Sequence, residues 1–269
     1  DRTPEGVAIL SIPTIGQNIR RAGSDVATGE CYLPHGRVIT PGDISLLASQ
    51  GYESAPVFRR PQVTIMTTGN ELCPPGSGRP ARGQLIDGNS VAIAAAAQAC
   101  GAQTMVLPPL PDNAAATIAA FESVESDVVV TTGGASVGDH DHVRAALSTV
   151  CGDSLKFWKV AIKPGKPIIF GKRGEQLFFG LPGNPVSALV TFEVFVRPAL
   201  LALQGQTQIL RQKFMVTLAS QLPAGGGRDE YRRGQCWNTD DGPIVRMYEK
   251  QSSGALSSIA GADVLVRVP

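Results

Sequence analysis

DVVVTTGGASVGDHD, residues 127–141, is the stretch from which the rest of the chain is read. It opens as a short β-branched strand through Thr132, breaks at Gly133-Gly134 and crosses small residues to Gly138. A helix is then expected behind Asp139 and Asp141. A buried strand feeding a glycine-rich turn and a helix N-terminus suits a phosphate. The glycines let backbone N–H groups approach closely, and the helix dipole favours negative charge. The acidic residues do not serve simple anion binding. They point to a divalent cation, because hard carboxylate oxygens bind Mg²⁺ together with phosphate oxygens. The loop also contains G-x-S-x-G with Ser136 in the nucleophile position. A hydrolase triad needs a histidine after its acid, and none follows His142, so the phosphate-loop reading is kept.

Outward from this stretch, strands and helices alternate. VTIMT (63–67), QTMVL (103–107) and DVVVT (127–131) read as strands. Between and after them come helices over 90–100, ending at Gly101, from Asp112 toward Val124, and over 142–150. Asn89 and Asp112 are expected to cap the first two. FWKVAI (157–162) reads as a strand, and IIFG and LFFG pair across 172–176. Pro185 starts a long helix to about Leu203, which Pro198 should kink or divide. This rhythm predicts an α/β domain with a mostly parallel sheet covered on both faces. Ligands of such sheets sit at the carboxyl ends of the strands. After Gln204, short strands separated by Gly, Pro and Asp predict a small all-β, barrel-like domain. Ahead of Arg59-Arg60-Pro61 lie a strand and turn near 4–13 and a short helix after Thr40, with Asp43 completing a capping box. The expected division is 1–60, an incomplete N-terminal segment; 61–206, the α/β domain; and 207–269, the all-β domain.

Composition narrows the function. Of 269 residues 43% are apolar and 17% charged, with a net charge of +1, which excludes a general nucleic-acid binder. No apolar run reaches the ~18 residues of a membrane helix, and the longest candidate, 91–100, reads as a packed helix. Cys31, Cys73, Cys100, Cys151 and Cys236 are odd in number and lack C-x-x-C, so reduced thiols and a cytoplasmic location are expected. Three histidines, His35, His140 and His142, without H-E-x-x-H do not suggest zinc. The chain opens DRTPEG, with neither an initiator Met nor a signal pattern, and is expected to be part of a longer protein.

Three further segments carry candidate chemistry. KPGKP holds Lys163 and Lys166 on a stiff turn, and Lys159 precedes it. The group is either a solvated basic turn or a set of ammonium groups for an oxyanion. GLPGNP, with Pro182, Gly183, Asn184 and Pro185, is a strand-to-helix turn that places a second helix N-terminus. Glu71 follows the first parallel strand, where a carboxylate can bind a metal or cap a turn. GRDEYRRG (227–234) reads as a solvated turn with ion pairs, and Ser252-Ser253-Gly254 as a plain loop.

Taken together, GQNIRRAGSD, PGDISLLASQG, RRPQVTIMTTGNEL, GQLIDGNS, TTGGASVGDHD, FWKVAIKPGKP, GLPGNPVSALVTFE and RRGQC resemble the molybdopterin molybdenumtransferase family, to which gephyrin's enzymatic domain belongs. They follow the family's order over almost the whole chain. The resemblance implies a three-layer αβα molybdopterin-binding-like domain. It also implies an enzyme that takes adenylylated molybdopterin and molybdate as substrates, inserts molybdenum into the pterin dithiolene, and releases AMP with Mg²⁺. Glu71, Asp112 and Asp141 would serve metal, adenylate or hydrolysis roles, with Glu71 and Asp141 as metal ligands. Lys159 and Lys163 would contact phosphate or molybdate. Gly133, Gly134, Ser136, Gly138 and Lys166 would join Pro182, Gly183, Asn184 and Pro185 in the pocket, and Arg233 and Ser253 would hold molybdate. Asn70 stands where the family usually has Asp. A homodimer of the full-length protein and contact with the molybdopterin adenylyltransferase are implied as partners. So are a preceding lobe with a Met-Asp-Gly-Tyr-Ala segment and a further strand after Pro269. The competing readings are a molybdopterin-binding scaffold module without turnover and a molybdopterin adenylyltransferase, which would consume MgATP.

Overall fold

The computed structural model describes all residues except 1, 5, 8–10, 135–141 and 223–225, and leaves undescribed the side chains of Arg2, Thr3, Val7, Phe157 and Trp158. The chain forms two compact units, Asp1–Glu53 and Ser54–Pro269. In the first, β1 (Arg2–Thr3) and β2 (Gly6–Val7) make a small antiparallel pair. The helix α1 (Pro41–Ser49) starts with the expected capping box between Thr40 and Asp43. Asp43 also takes Arg37 at 2.7 Å.

The second unit begins with β3 (Gln62–Thr67), the short parallel pair β4 (Leu72–Cys73) and β5 (Leu85–Ile86), and α2 (Gly88–Ala99). Then come β6 (Gln103–Val106), α3 (Ala114–Ser123), β7 (Val128–Thr132) and α4 (His142–Cys151). β8 (Lys156–Lys159), β9 (Ile162–Lys163), β10 (Pro167–Arg173) and β11 (Gln176–Leu181) follow. One six-stranded sheet has the order β6-β3-β7-β11-β10-β8. Its first four strands run parallel, and β10 is antiparallel to both of its neighbours.

Continuous apolar runs form these strands because both sheet faces are covered. Val63, Ile65, Val128, Val130 and Leu181 pack on one face with Ile93 and Ala97 of α2 and with Ala188, Phe192, Val196 and Leu200 of the helical stretch after Pro185. Met66, Val129, Ile169 and Phe178 pack on the other with Phe121 of α3 and Val143, Ala146 and Leu147 of α4. Phe121 meets Phe178 edge to face at 5.8 Å between centroids. The result is a three-layer αβα arrangement, as the sequence suggested.

Pro198 acts less abruptly than expected. α5 (Pro185–Thr191) passes into five residues of π-helix, Phe192–Val196, and then into α6 (Arg197–Leu203), so the helical run is unbroken. The wider turn ahead of Pro198 is one way a chain accommodates a proline that lacks an N–H. This run, Pro185–Leu203, is long and apolar enough to cross a membrane, unlike the 91–100 segment the sequence singled out. Its apolar side chains line the sheet instead.

The remaining elements are β12 (Thr217–Leu218), β13 (Asp229–Thr239), β14 (Gly242–Met247), α7 (Leu256–Ala260) and β15 (Val264–Val268). They form a five-stranded sheet of order β12-β14-β13-β15, with β9 joining through β13. FWKVAI is therefore not one strand. Its first part lies in the main sheet as β8, and Ile162 and Lys163 pair in parallel with Asp229 and Glu230 of β13. Residues 229–234, read as a solvated turn, are the start of the longest strand.

Candidate functional site

The parallel strands point their carboxyl ends at one rim, and the loops there are tied together by backbone bonds. Thr68 N–H donates to Thr132 O at 3.3 Å, and Gly69 N–H to Leu110 O at 3.2 Å. Asn70 and Asp112 bond reciprocally: Asn70 N–H to Asp112 Oδ2 at 3.1 Å, and Asp112 N–H to Asn70 Oδ1 at 3.2 Å. Asp112 therefore does not cap α3. Asn113 does, accepting Ala116 N–H at 3.1 Å, which frees Asp112 to fasten the loop that carries Glu71. The Glu71 carboxylate folds back over Gly69, where an added Cβ would lie 2.7 Å from Oε2.

Gly133 sits directly on this loop. Its φ is +88°, and a Cβ there would lie 2.8 Å from Thr68 O, so an alanine would meet backbone. Gly183, in the turn after β11, faces Gly133, with 3.5 Å between its Cβ position and Gly133 Cα. Asn89 Nδ2 donates to Gly183 O at 2.7 Å. Asn89 is thus a strut between α2 and the GLPGNP turn, not a cap. Asp87 caps α2, accepting Ser90 N–H at 3.0 Å and the Thr67 hydroxyl at 2.7 Å while 2% exposed.

The KPGKP turn lies against the first turns of α5. A Cβ on Gly165 would fall 2.5 Å from Thr191 Cγ2 and 3.6 Å from Ser187 O. Lys163-Pro164 is a cis peptide. The loop 252–254 reaches the same helix end, where Val186 N–H donates to Ser253 O at 3.0 Å. The start of α5, with Pro185 at its head, thus touches both the glycine rim and the basic turn.

Beside that turn is an open depression of about 420 Å³ lined by Lys163, Pro164, Glu230, Arg232, Arg233 and Ser252, among others. Arg233 is wholly buried. It donates to Ser258 Oγ at 3.1 Å, Ser252 O at 3.0 Å and Lys250 O at 3.3 Å, while its Nη1 has no hydrogen-bond partner among the described residues. Burial pushes its pKa down from the usual value. A buried guanidinium with an unsatisfied donor is costly unless a further acceptor fills the position. Glu230 takes Lys163 Nζ at 3.0 Å and Arg232 Nη2 at 2.7 Å, and hydrogen bonds from Lys163 first, then Arg232, hold its carboxyl below the usual range.

The structure thus brings Glu71, Asp112, Gly133, Gly134, Gly183, Asn184 and Pro185 to one rim and Lys163 and Arg233 to one depression, while Ser253 meets the start of α5 through its carbonyl. Pro182 is buried beneath the turn. Lys159 and Lys166 are exposed and form no ion pair with the described residues. Ser136, Gly138 and Asp141 lie outside the described residues. Among the described residues no cluster of three or more His, Cys, Asp or Glu could hold an ion. Glu71 and Asp112 offer hard oxygens of the kind Mg²⁺ takes when substrate phosphates and waters complete its shell. Sequence reasoning missed the role of Glu230 and the rim contacts of Asn89 and Asn70. Glu230 and Arg232 stand at i and i+2, the spacing that puts two side chains on one face of a strand, and that was the available signal.

A glycine-edged rim at the ends of parallel strands and a cationic depression both suit an anionic ligand. A model described as probable molybdopterin binding domain matches residues 64–202. The models of the MoeA N-terminal region (domain I and II) and the MoeA C-terminal region (domain IV) match residues 3–51 and 215–269. The chain is a molybdopterin-binding-domain protein. More narrowly, it belongs to the molybdopterin molybdenumtransferase family. It is similar to a molybdopterin molybdenumtransferase of Haemophilus influenzae, 39% identical over 252 residues, covering 92% of this chain and 60% of the relative. A molybdopterin molybdenumtransferase 2 of Mycobacterium tuberculosis is 34% identical over 271 residues, covering 98% and 66%. The solved structure of a molybdopterin biosynthesis MoeA protein from Pyrococcus horikoshii superposes with a TM-score of 0.76 at 29% identity, covering 91% of this chain and 59% of that one. The chain spans about 60–66% of the length of these curated relatives.

Proposed function

We propose that the protein to which this chain belongs completes the molybdenum cofactor, inserting molybdenum from molybdate into adenylylated molybdopterin with Mg²⁺-dependent release of AMP. The observation that carries this reading is the buried Arg233, which lines the depression with Lys163 and whose Nη1 has no hydrogen-bond partner among the described residues. A tetrahedral dianion supplies the missing acceptor. The rim of Gly133, Gly134 and Gly183 would admit the phosphate end of the pterin nucleotide close to backbone N–H groups. Cleavage of the anhydride breaks one P–O bond and places a water oxygen on phosphorus. Asp112 would accept that water's proton, while Lys159 and Lys163 would stabilise charge gathering on the departing phosphate oxygen. Glu71 and Asp141 would hold the divalent cation, which when bound neutralises phosphate charge. Ser136, Gly138, Lys166, Pro182, Asn184 and Pro185 would shape the pocket, and Ser253 would join Arg233 at molybdate.

The same reading divides the chain into 1–60, 61–206 and 207–269, a division supported by the three matched segments. It also takes the full-length protein as a cytoplasmic homodimer that receives its substrate from the adenylyltransferase. The test is AMP release by the full-length protein. Release should require adenylylated molybdopterin, molybdate and Mg²⁺ together, and absence of AMP under those conditions rejects the transferase reading. Calorimetric binding of molybdopterin without any AMP would leave a binding module, and ATP consumption would indicate an adenylyltransferase.

A further inference from the structure

We propose that Glu230 is a positioning residue: it holds the Lys163 ammonium in place beside Arg233, acting through the lysine and not on the substrate. This rests on the reading of Lys163 and Arg233 as the oxyanion-binding pair. Glu230 is the second residue of β13 and the backbone partner of Lys163 on β9. It is 8% exposed, and both of its oxygens are engaged: Oε1 by Lys163 Nζ at 3.0 Å, Oε2 by Arg232 Nε at 2.8 Å and Nη2 at 2.7 Å. The lysine side chain is 54% exposed and carries a flexible four-carbon stem. Left alone, its charge would sample many rotamers.

A half-exposed ion pair adds little to folding stability. Its effect here is geometric, because the pair ties Lys163, at the end of β9, to β13, the strand that carries Arg232 and Arg233. Three cations, Lys163, Arg232 and Arg233, line the depression, and two of them, Lys163 and Arg232, pair with this one carboxylate. Neutralising Glu230 makes the depression more positive. Electrostatics alone then gives tighter oxyanion binding and unchanged turnover, whereas loss of positioning gives slower turnover. The two effects have opposite readouts.

The test uses the full-length protein as wild type, Glu230→Gln, Lys163→Ala and the double variant. Turnover for AMP release and KM for molybdate are measured beside acetylation of Lys163 by acetic anhydride, followed by mass spectrometry. Glu230→Gln should lower kcat about tenfold or more, leave the molybdate KM unchanged or lower, and have no further effect in the Lys163→Ala background. Lys163 should acetylate several-fold faster once its partner is gone. Unchanged kcat, or losses that multiply in the double variant, would overturn the proposal. If Glu230→Gln does not fold, Glu230→Asp keeps the charge and should retain most of the Lys163 protection, and full loss of protection there counts against the idea. If wild type releases no AMP, the functional reading fails by itself. Acetylation then decides the positioning role, and equal rates in wild type and Glu230→Gln reject it.

Discussion

Replacing Gly133 with alanine drives a methyl carbon to 2.8 Å from Thr68 O and 3.2 Å from its Oγ1, at a φ of +88°. The left-handed conformation costs an L-residue about 1–2 kcal/mol. The contact adds an overpacking cost of about 1–3 kcal/mol, because the obstacle is backbone held by Thr68 N–H to Thr132 O and cannot rotate away. Together these give ~2–5 kcal/mol. With a urea slope of roughly 2–3 kcal/mol/M, the unfolding midpoint should fall by ~0.7–2.5 M. Gly174, in the hairpin between β10 and β11, separates the two contributions. Its φ is +58° with nothing within 4 Å of an added Cβ, so Gly174→Ala should show the conformational cost alone. The loop can also relieve the clash by moving off Thr68, in which case molybdopterin affinity falls along with stability. Equal midpoints for the two variants, with molybdopterin binding intact, would refute the argument that Gly133 is there for close approach.

Arg233→Ala should weaken molybdate affinity about tenfold or more while nucleotide affinity changes little, measured by calorimetry; equal losses would remove its selective role. Asp141→Asn should abolish AMP release and leave molybdopterin bound, and unchanged turnover would take Asp141 out of the mechanism. Burial pushes the Cys151 thiol up to about 11, so it should alkylate with iodoacetamide at least about tenfold more slowly than the exposed Cys31, and equal rates would contradict its burial. Because Lys163 and Arg232 hold the Glu230 carboxyl below its usual 4.5, its stabilisation is present above that pH and is lost as pH falls through the depressed folded value. Melting temperatures should therefore decline slightly less steeply below 4.5 in Glu230→Gln than in wild type, and a steeper decline in the variant would count against the ion pairs.

The central sheet was legible because its signal is local. Val128–Thr132 and the run around Ile65 are apolar on both faces, which a covered parallel strand requires. The glycine rim was legible for the same reason, since Gly133-Gly134 ends a buried strand. Capping was misread by one or two residues at both α2 and α3. Asp87 and Asn89, like Asp112 and Asn113, are interchangeable as caps by propensity, and only tertiary contacts decide which is used. Asn89 went to Gly183 and Asp112 to Asn70 because those carbonyl and amide groups lie across the rim, 94 and 42 residues away in sequence. The departure of β9 into the second sheet left no trace in FWKVAI, because strand pattern records burial and not the identity of the neighbour.

That departure also bears on how the molecule can move. β8 and β9 are separated only by Val160 and Ala161, yet they are stitched into different sheets. Two residues are too short a tether for one layer to swing away without tearing main-chain bonds. Melting of the C-terminal layer should therefore drag the lysine turn with it, and a calorimetric scan of residues 54–269 should register a single merged endotherm.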